Sequence, residues 1–477
     1  MRQLVYSRAC IKRVAMVGVC VLAPLCLRPG HILGQAVVHQ WGHGAERDMA
    51  LRPLRTVHVG QNPALVAIDA PDRHVFVANE GPLMADRAMP SRPGSVTMVD
   101  EGSGVVLRTV TVGRSPVALA FDAPARHVFV LAAGGINTSV GFASLRGSVS
   151  VLDAVTGALV RTQEVGSVPL TALGSGAVPS ARQAMAVDST SGRVYVVAAG
   201  AVLVLDGSTG AIRQTLELGT GGPPQIPSPS TVAVAPHAKR LYVGDGYDAA
   251  LPPPSTPLGS SGGSLAVLDS ATDRGVSNVV LRQQGVGAIA VDERAHRVLV
   301  VELPGDRMYR TMVEALDART GARLHLTDLG VPADGAVAVG VDLSTSRAFV
   351  LYAPSGYELQ NGGLDKTVFI LNTRDGKLLQ TVSLLATVPQ GGFLSQAIAI
   401  DQRRGRVMVA APQGGTLGPT AATDTDVQIL DMHSGHVIGR LRVGGGAQDI
   451  AIDEVARRVF VTNEHDNTLS VFDATRL

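Results

Sequence analysis

The chain has 477 residues, with 41 Lys and Arg against 40 Asp and Glu for a net charge of +1, and aromatic residues make up only 4% of it. A chain without strong positive charge lacks the electrostatic footprint of a general nucleic-acid binder, and so few rings leave few platforms for stacking bases, so nucleic acid is a disfavoured partner. All three cysteines, Cys10, Cys20 and Cys26, lie near the start, which excludes disulfides, cysteine nucleophiles, thiolate metal sites and thioether-linked haem from everything that follows them.

Residues 1–36 read as a signal peptide. Arg2, Arg8, Lys12 and Arg13 form a basic start, an apolar run extends from Val14 to Leu27, and Gly34-Gln35-Ala36 offers small residues for cleavage. The run is too short, and too broken by Pro24, to span a membrane comfortably, so no stable membrane insertion is expected after cleavage. Lipidation at Cys20 or Cys26 is the rival, disfavoured because Val19 and Leu25 are larger than the small residue such a site needs. The leader carries five basic and no acidic residues, and its loss takes the net charge from +1 to −4. The mature protein is expected to be exported, periplasmic or extracellular, with a flexible segment over 37–50 and one domain over 51–477.

That domain opens on an orphan. Leu51 to Gly60 resembles the last strand of a repeat whose first three strands are absent. Eight copies then follow. Each begins with an apolar run closing on Asp, as in Ala64 to Asp69 and Gln448 to Asp453, and only Thr231-Val-Ala-Val-Ala-Pro236 departs, with proline where the others have aspartate. A second run follows a basic residue or histidine, as in His74-Val-Phe-Val-Ala78 and Arg458-Val-Phe-Val-Thr462. A third ends at Asp100, Asp153, Asp206, Asp269, Asp317, Asn372, Asp431 or Asp473. Short β-branched and aromatic runs bounded by turn residues are strands. Behind the third strand comes a turn such as Asp153-Ala-Val-Thr-Gly157, in which the Asx side chain caps the turn and glycine takes positive φ; Asp273 stands where most copies have glycine. A fourth strand runs to a Val-Gly or Leu-Gly pair. The last copy stops after its third strand at Asp473.

Four strands per unit and no long amphipathic helix predict an all-β fold: a single β-propeller of four-stranded antiparallel blades. Eight blades are counted, seven being the alternative, and the N-terminal strand is expected to complete the last blade and close the ring. The motifs resemble the YVTN-repeat, or YncE-like, β-propellers, whose unit is matched by Val59-Gly-Gln-Asn-Pro63, Phe460-Val-Thr-Asn463 and Asn467-Thr-Leu-Ser-Val-Phe-Asp473. The resemblance covers nearly the whole mature chain, most closely its first and last units. It implies a propeller, commonly of seven blades, often without an assigned reaction.

Candidate sites follow from loop length and ring geometry. Connections after the first and third strands are short, whereas those after the second and fourth vary, among them Gly81 to Gly94, Asp245 to Gly263, Pro354 to Lys366 and Pro412 to Asp426. Both long sets fall on one face, where propellers place binding sites. The channel mouth on that face is expected to be lined by residues opening the first strand (Gln183, Gln396, Gln448, Asp449), by those closing the second (Asn79, Asp245, Glu302, Tyr352, Asn463), and by Glu464 beside them. Such amides and carboxylates could bind a small polar ligand or a hard cation, or they could satisfy backbone groups. Glu464-His465-Asp466-Asn467 reads as turn chemistry rather than a metal site, and His39-Gln-Trp-Gly-His43 as a segment of the tail. The recurring aspartates read as structural, because a catalytic group is needed once and a turn cap in every blade. His74, His127 and His296 read as solvated, and Arg73, Arg126, Arg193, Arg297 and Arg347 as surface partners of the aspartates.

No catalytic motif is found: no Gly-x-Ser-x-Gly elbow, no His-Glu-x-x-His, no phosphate loop. Neither a catalytic nor a metal residue is assigned, and the cofactor is left unknown. The leading expectation is an exported scaffold, a monomer, binding a protein, peptide or small polar ligand on its loop-rich face. A propeller enzyme or redox subunit of the lactonase, amine dehydrogenase or haem d1 type, with its site at the channel mouth, is the alternative. A cell-surface structural module is a third.

Overall fold

The continuous apolar runs that predict strands also place them. In the second strand of each repeat, as in His74–Asn79, nearly every side chain is buried, because both faces of an inner strand meet a neighbouring sheet. The computed structural model describes residues 50–82, 92–137, 143–169, 183–218, 226, 228–246, 263–282, 285–303, 310–332, 336–353, 366–384, 397–411 and 426–477. These form eight blades and contain no helix. Blade 1 covers 63–111, blade 2 116–166, blade 3 185–216, blade 4 229–280, blade 5 285–332, blade 6 336–383, blade 7 398–442 and blade 8 447–473, and in each the strands pair antiparallel in sequence order.

Blade 8 takes its fourth strand from the other end of the chain. Arg55–His58 pairs antiparallel with Thr468–Asp473, with Val57 opposite Leu469, and the flanking Leu54 N–H and Val59 N–H donate to the carbonyls of Val471 and Asn467 at 2.8 and 3.0 Å. Two features go beyond the expected architecture. Ala50–Leu51 adds a short parallel strand to the outer edge of blade 7, opposite Arg440 and Leu441, so the start of the chain grips two blades. Within the second-to-third connection of blade 2, Gly135–Asn137 and Ala143–Leu145 form a small hairpin.

The core lies between blades, face to face. Phe349, Leu351, Val368 and Ile370 of blade 6 meet Val407, Val409, Leu430 and Met432 of blade 7, all fully buried. Such side chains stabilise the fold by about 1.5–3 kcal/mol each. Around the channel, the residue two before the end of the first strand is small in every blade: Ala67, Ala120, Ala186, Ala233, Ala290, Gly340, Ala399 and Ala451. In blade 6 a side chain from the next blade covers this position, for a Cβ on Gly340 would lie 2.8 Å from Ile400 Cδ1.

On the short-turn face the blades are latched in one direction. The first residue of the second strand reaches the turn behind the third strand of the next blade: His74 Nδ1 to the Ala154 carbonyl at 2.9 Å, His127 Nδ1 to Gly207 at 2.9 Å, Arg193 to Ser270 at 2.8 Å, Arg297 to Arg374 at 3.1 Å and Arg347 to Met432 and His433 at 2.8 and 2.6 Å. The histidines at 74 and 127 are therefore half-buried latches, not solvated side chains.

The recurring aspartates form two populations. Those ending third strands cap the turn behind them, as Asp153 Oδ1 accepts the Thr156 N–H and Oγ–H at 2.7 Å each. Those ending first strands, such as Asp69, Asp122 and Asp342, are fully buried. In blade 4 Ala235 occupies that position, opposite Arg240, and the turn is capped from blade 5 instead, with Glu293 Oε1 accepting the His237 N–H at 2.9 Å. Asp273, in place of the turn glycine, keeps φ at 60° and takes an ion pair with Arg193 of blade 3 at 2.9 Å.

Candidate functional site

The Val-Gly-x-x-Pro motif has a local cause. In Val59-Gly-Gln-Asn-Pro63, Asn62 adopts φ 52°, and the carbonyls of Gln61 and Asn62 accept the N–H groups of Gly81 and Glu80 at 3.0 and 2.9 Å. Ser115 at φ 53° and Gly446 at φ 74° do the same in blades 2 and 8. This clamp pins the fourth-to-first connection to the end of the second strand, so the ends of the second strands are held rigidly around the loop-rich face.

The side chains at those ends turn into the blades. Asn79 and Asn463 are fully buried and aim their amides at the third strand: Asn79 Nδ2 donates to Ser95 Oγ and Thr97 Oγ1 at 3.2 and 3.1 Å, Asn463 Nδ2 to Thr468 Oγ1 and Ser470 Oγ at 2.9 Å each. Tyr352 is fully buried in the core between blades 5 and 6. Asp245, 9% exposed, accepts the Ser228 N–H at 2.9 Å, and burial pushes its pKa up to about 6. Glu302, fully buried, accepts the Arg282 N–H at 2.9 Å.

Two of the residues opening first strands, Gln183 and Asp449, are half-buried and bridge blades. Gln183 exchanges hydrogen bonds with the backbone of Ile289, two blades on, at 3.0 and 2.8 Å. Asp449 Oδ2 accepts the Val66 N–H at 2.9 Å across the seam between blades 8 and 1. Gln448 donates to Glu464. Gln396 lies outside the described residues.

Of the nine expected positions that are described, the fold thus gathers Gln448, Asp449, Asn463 and Glu464 at the closing seam and distributes Asn79, Gln183, Asp245, Glu302 and Tyr352 round the ring. The adjoining turn is held by its own bonds: Asp466 Oδ2 accepts the Gly445 N–H at 2.7 Å and Asn467 Oδ1 the Asn62 N–H at 2.8 Å. Among the described residues, no group of three or more His, Cys, Asp or Glu side chains is placed to hold a metal ion.

Several buried charges, Lys366 and Glu314 among them, were not singled out by sequence reasoning. Lys366 is fully buried before the third strand of blade 6; its ammonium donates to the Ala410 carbonyl, and desolvation lowers its pKa to about 7. Glu314, 2% exposed, lies in the third strand of blade 5, where burial first and the neighbouring Glu302 second raise its pKa to about 7. A charge inside the apolar run Thr311-Met-Val-Glu-Ala-Leu316 was the available signal.

No family model and no curated protein matches the sequence. The fold is similar to that of several solved structures. BamB from Moraxella catarrhalis is 15% identical, with a TM-score of 0.52 over 88% of this chain and 98% of that one. The dihydro-haem d1 dehydrogenase NirN in complex with DHE is 14% identical, with a TM-score of 0.55 over 89% of this chain and 73% of that one. Hydrazine synthase of Kuenenia stuttgartiensis is 15% identical, with a TM-score of 0.48 over 91% and 99%. At these identities the likeness is one of fold.

Proposed function

We propose that the chain is an exported propeller of the YVTN type that works as a binding scaffold through its loop-rich face. One observation carries this reading. The polar side chains at the strand ends are committed to bonds within and between blades, while the connections of variable length all leave from that one face. A rigid ring with its polar groups internally satisfied suits presentation of loops, whose ligand would be a protein, a peptide or a small polar molecule. The leader-like start supports export, and N-terminal sequencing of the mature protein should then begin close to Val37.

A second reading, a propeller enzyme or redox subunit with its site at the channel mouth, draws on the half-buried Asp449 and Glu464 at the closing seam. Native mass spectrometry of protein purified from its own envelope fraction, with its absorption spectrum and metal content, separates the two. A co-purifying protein or peptide that is lost when 247–262 and 354–365 are replaced by short Gly-Ser connections supports the scaffold. A stoichiometric chromophore or cation supports the second reading and refutes the first.

A further inference from the structure

In all eight blades the fourth residue after the end of the first strand has left-handed backbone, with φ between 51° and 65°. Blades 3 and 7 place glycine there, Gly192 and Gly405, which this conformation favours, and blade 6 places Ser346. The other five carry Arg73, Arg126, Lys239, His296 and Arg457, and all five side chains are exposed. A long basic side chain is held at this φ only at a cost in free energy that glycine avoids. Packing does not offset that cost everywhere. Arg73 lies 3.6 Å from the buried Glu101 and Arg126 pairs with Asp72, but the side chains of Lys239 and Arg457 make no ion pair or hydrogen bond among the described residues. Bases at a position where glycine suffices point to a use outside the fold.

The rest of the short-turn face has the same polarity. Arg294 and Arg403 are exposed beside the first set of turns, and the turns behind the third strands expose Arg274, Arg319, Arg374 and Lys377. No acid in either set is fully exposed among the described residues. Asp72, Asp273, Glu293, Asp375 and Glu454 are half-buried and pair with Arg126, Arg193, His237, Lys377 and Arg403. The recurring aspartates lie beneath, half-buried or fully buried. Because the turns are equivalent round the ring, the face is an outward layer of bases over a recessed layer of acids. At contact the outer layer dominates, and beyond a screening length of about 10 Å the two largely cancel.

We propose that the short-turn face is a docking surface for an anionic lipid bilayer. A flat layer of cations spread over the ring matches a flat anionic surface rather than a ligand held at one point. The three large apolar side chains exposed in these turns, Val105, Val155 and Val455 at 56, 42 and 69%, enter the interface between headgroups, while the stems of the arginines and lysines lie along it. A second copy of the chain would instead set cation against cation. Docked in this way, the ring turns its loop-rich face away from the bilayer, whatever the loops bind.

The test is sedimentation of the full mature chain with phosphatidylcholine vesicles, with and without phosphatidylglycerol, at low and high salt. Wild type should bind only the vesicles that contain phosphatidylglycerol, and salt should weaken the binding. The triple variant Arg126→Gly, Lys239→Gly, Arg457→Gly gives blades 2, 4 and 8 the residue that blades 3 and 7 already have. It should melt close to or above wild type, yet bind about fivefold more weakly for each base lost, about a hundredfold in all. Removing the same charge from the loop-rich face, by Arg92→Gln, Arg114→Gln and Arg282→Gln, should leave binding unchanged. Absence of binding to phosphatidylglycerol, equal losses in the two triple variants, or full binding by the glycine variant overturns the proposal. So does binding of wild type to soluble polyglutamate that equals its binding to vesicles and is lost in the glycine variant, since the face would then belong to an acidic protein. Should the glycine variant fail to fold, Arg126→Gln, Lys239→Gln, Arg457→Gln, which keeps the native backbone preference, carries the same expectation and the same refutation.

Discussion

Removing residues 50–60 should leave blade 8 with three strands and an open edge. The loss can be worked from the contacts. Val57, 8% exposed within the cluster of Val75, Val77 and Val471, contributes about 2 kcal/mol by burial. The flanking bonds from Leu54 and Val59 contribute about 1 kcal/mol each, so the deletion costs roughly 4 kcal/mol before the short ladder itself is counted. A ring of this size has an unfolding entropy of roughly 0.9 kcal/mol/K, so Tm should fall by at least about 4 °C. The freed edge at Thr468–Asp473 should also promote association, visible by light scattering. A synthetic peptide spanning 49–60, titrated into the truncated chain, should restore Tm in a saturable way. A truncated chain that melts where the full chain melts, and stays monodisperse, would refute closure by this strand as a source of stability.

The latches predict that Arg347→Ala, which frees the Met432 and His433 carbonyls, lowers stability by about 1–3 kcal/mol in denaturant titration, with Arg347→Lys recovering only part of it. Gly376 has φ 74° and its Cβ would lie 2.8 Å from Ala315 Cβ of the preceding blade, so Gly376→Ala should cost about 2–4 kcal/mol. Lys239, at φ 51° with its side chain outward, should show the opposite sign: Lys239→Gly relieves the left-handed backbone and should raise stability by up to about 1 kcal/mol. Asp245 binds its proton more tightly folded than unfolded. The stability it lends is therefore complete below the ordinary aspartate range and is lost as pH rises through about 6, a change of roughly 3 kcal/mol. Asp245→Asn should flatten urea midpoints over that interval, and an unchanged pH profile would contradict the assignment.

The eight blades and the borrowed strand were legible because both signals are local. A short β-branched and aromatic run marks each strand, and an Asx turn closing on glycine marks most of the hairpins behind the third strands. What escaped was set by ring geometry. His74 and His127 follow directly on short turns and look solvated in sequence, yet their acceptors at Ala154 and Gly207 are 80 residues further on, a distance that only the rotation between blades brings together. The mouth residues failed to read correctly as a lining for a related reason. Position at the end of a second strand is visible in sequence, but the direction of Asn79 or Asn463 depends on hydroxyls in the third strand, at Ser95, Thr97, Thr468 and Ser470. The parallel strand at Ala50–Leu51 is two residues long, too short for any periodic signal.

The latches made by the first residue of the second strand run the same way from blade 1 to blade 7, each into the blade that follows. A blade is thus a module with an outgoing and an incoming end, and any blade made wholly from consecutive residues offers its neighbours the same pair of ends. A gene that duplicates or loses one such unit would hand its protein a ring with every joint still matched, needing only a small change of angle at each seam. The composite eighth blade alone lacks this freedom, because its strands come from opposite ends of the chain. Change in blade number over evolutionary time should therefore accumulate between blades 1 and 7, with the join between the two termini inherited unaltered.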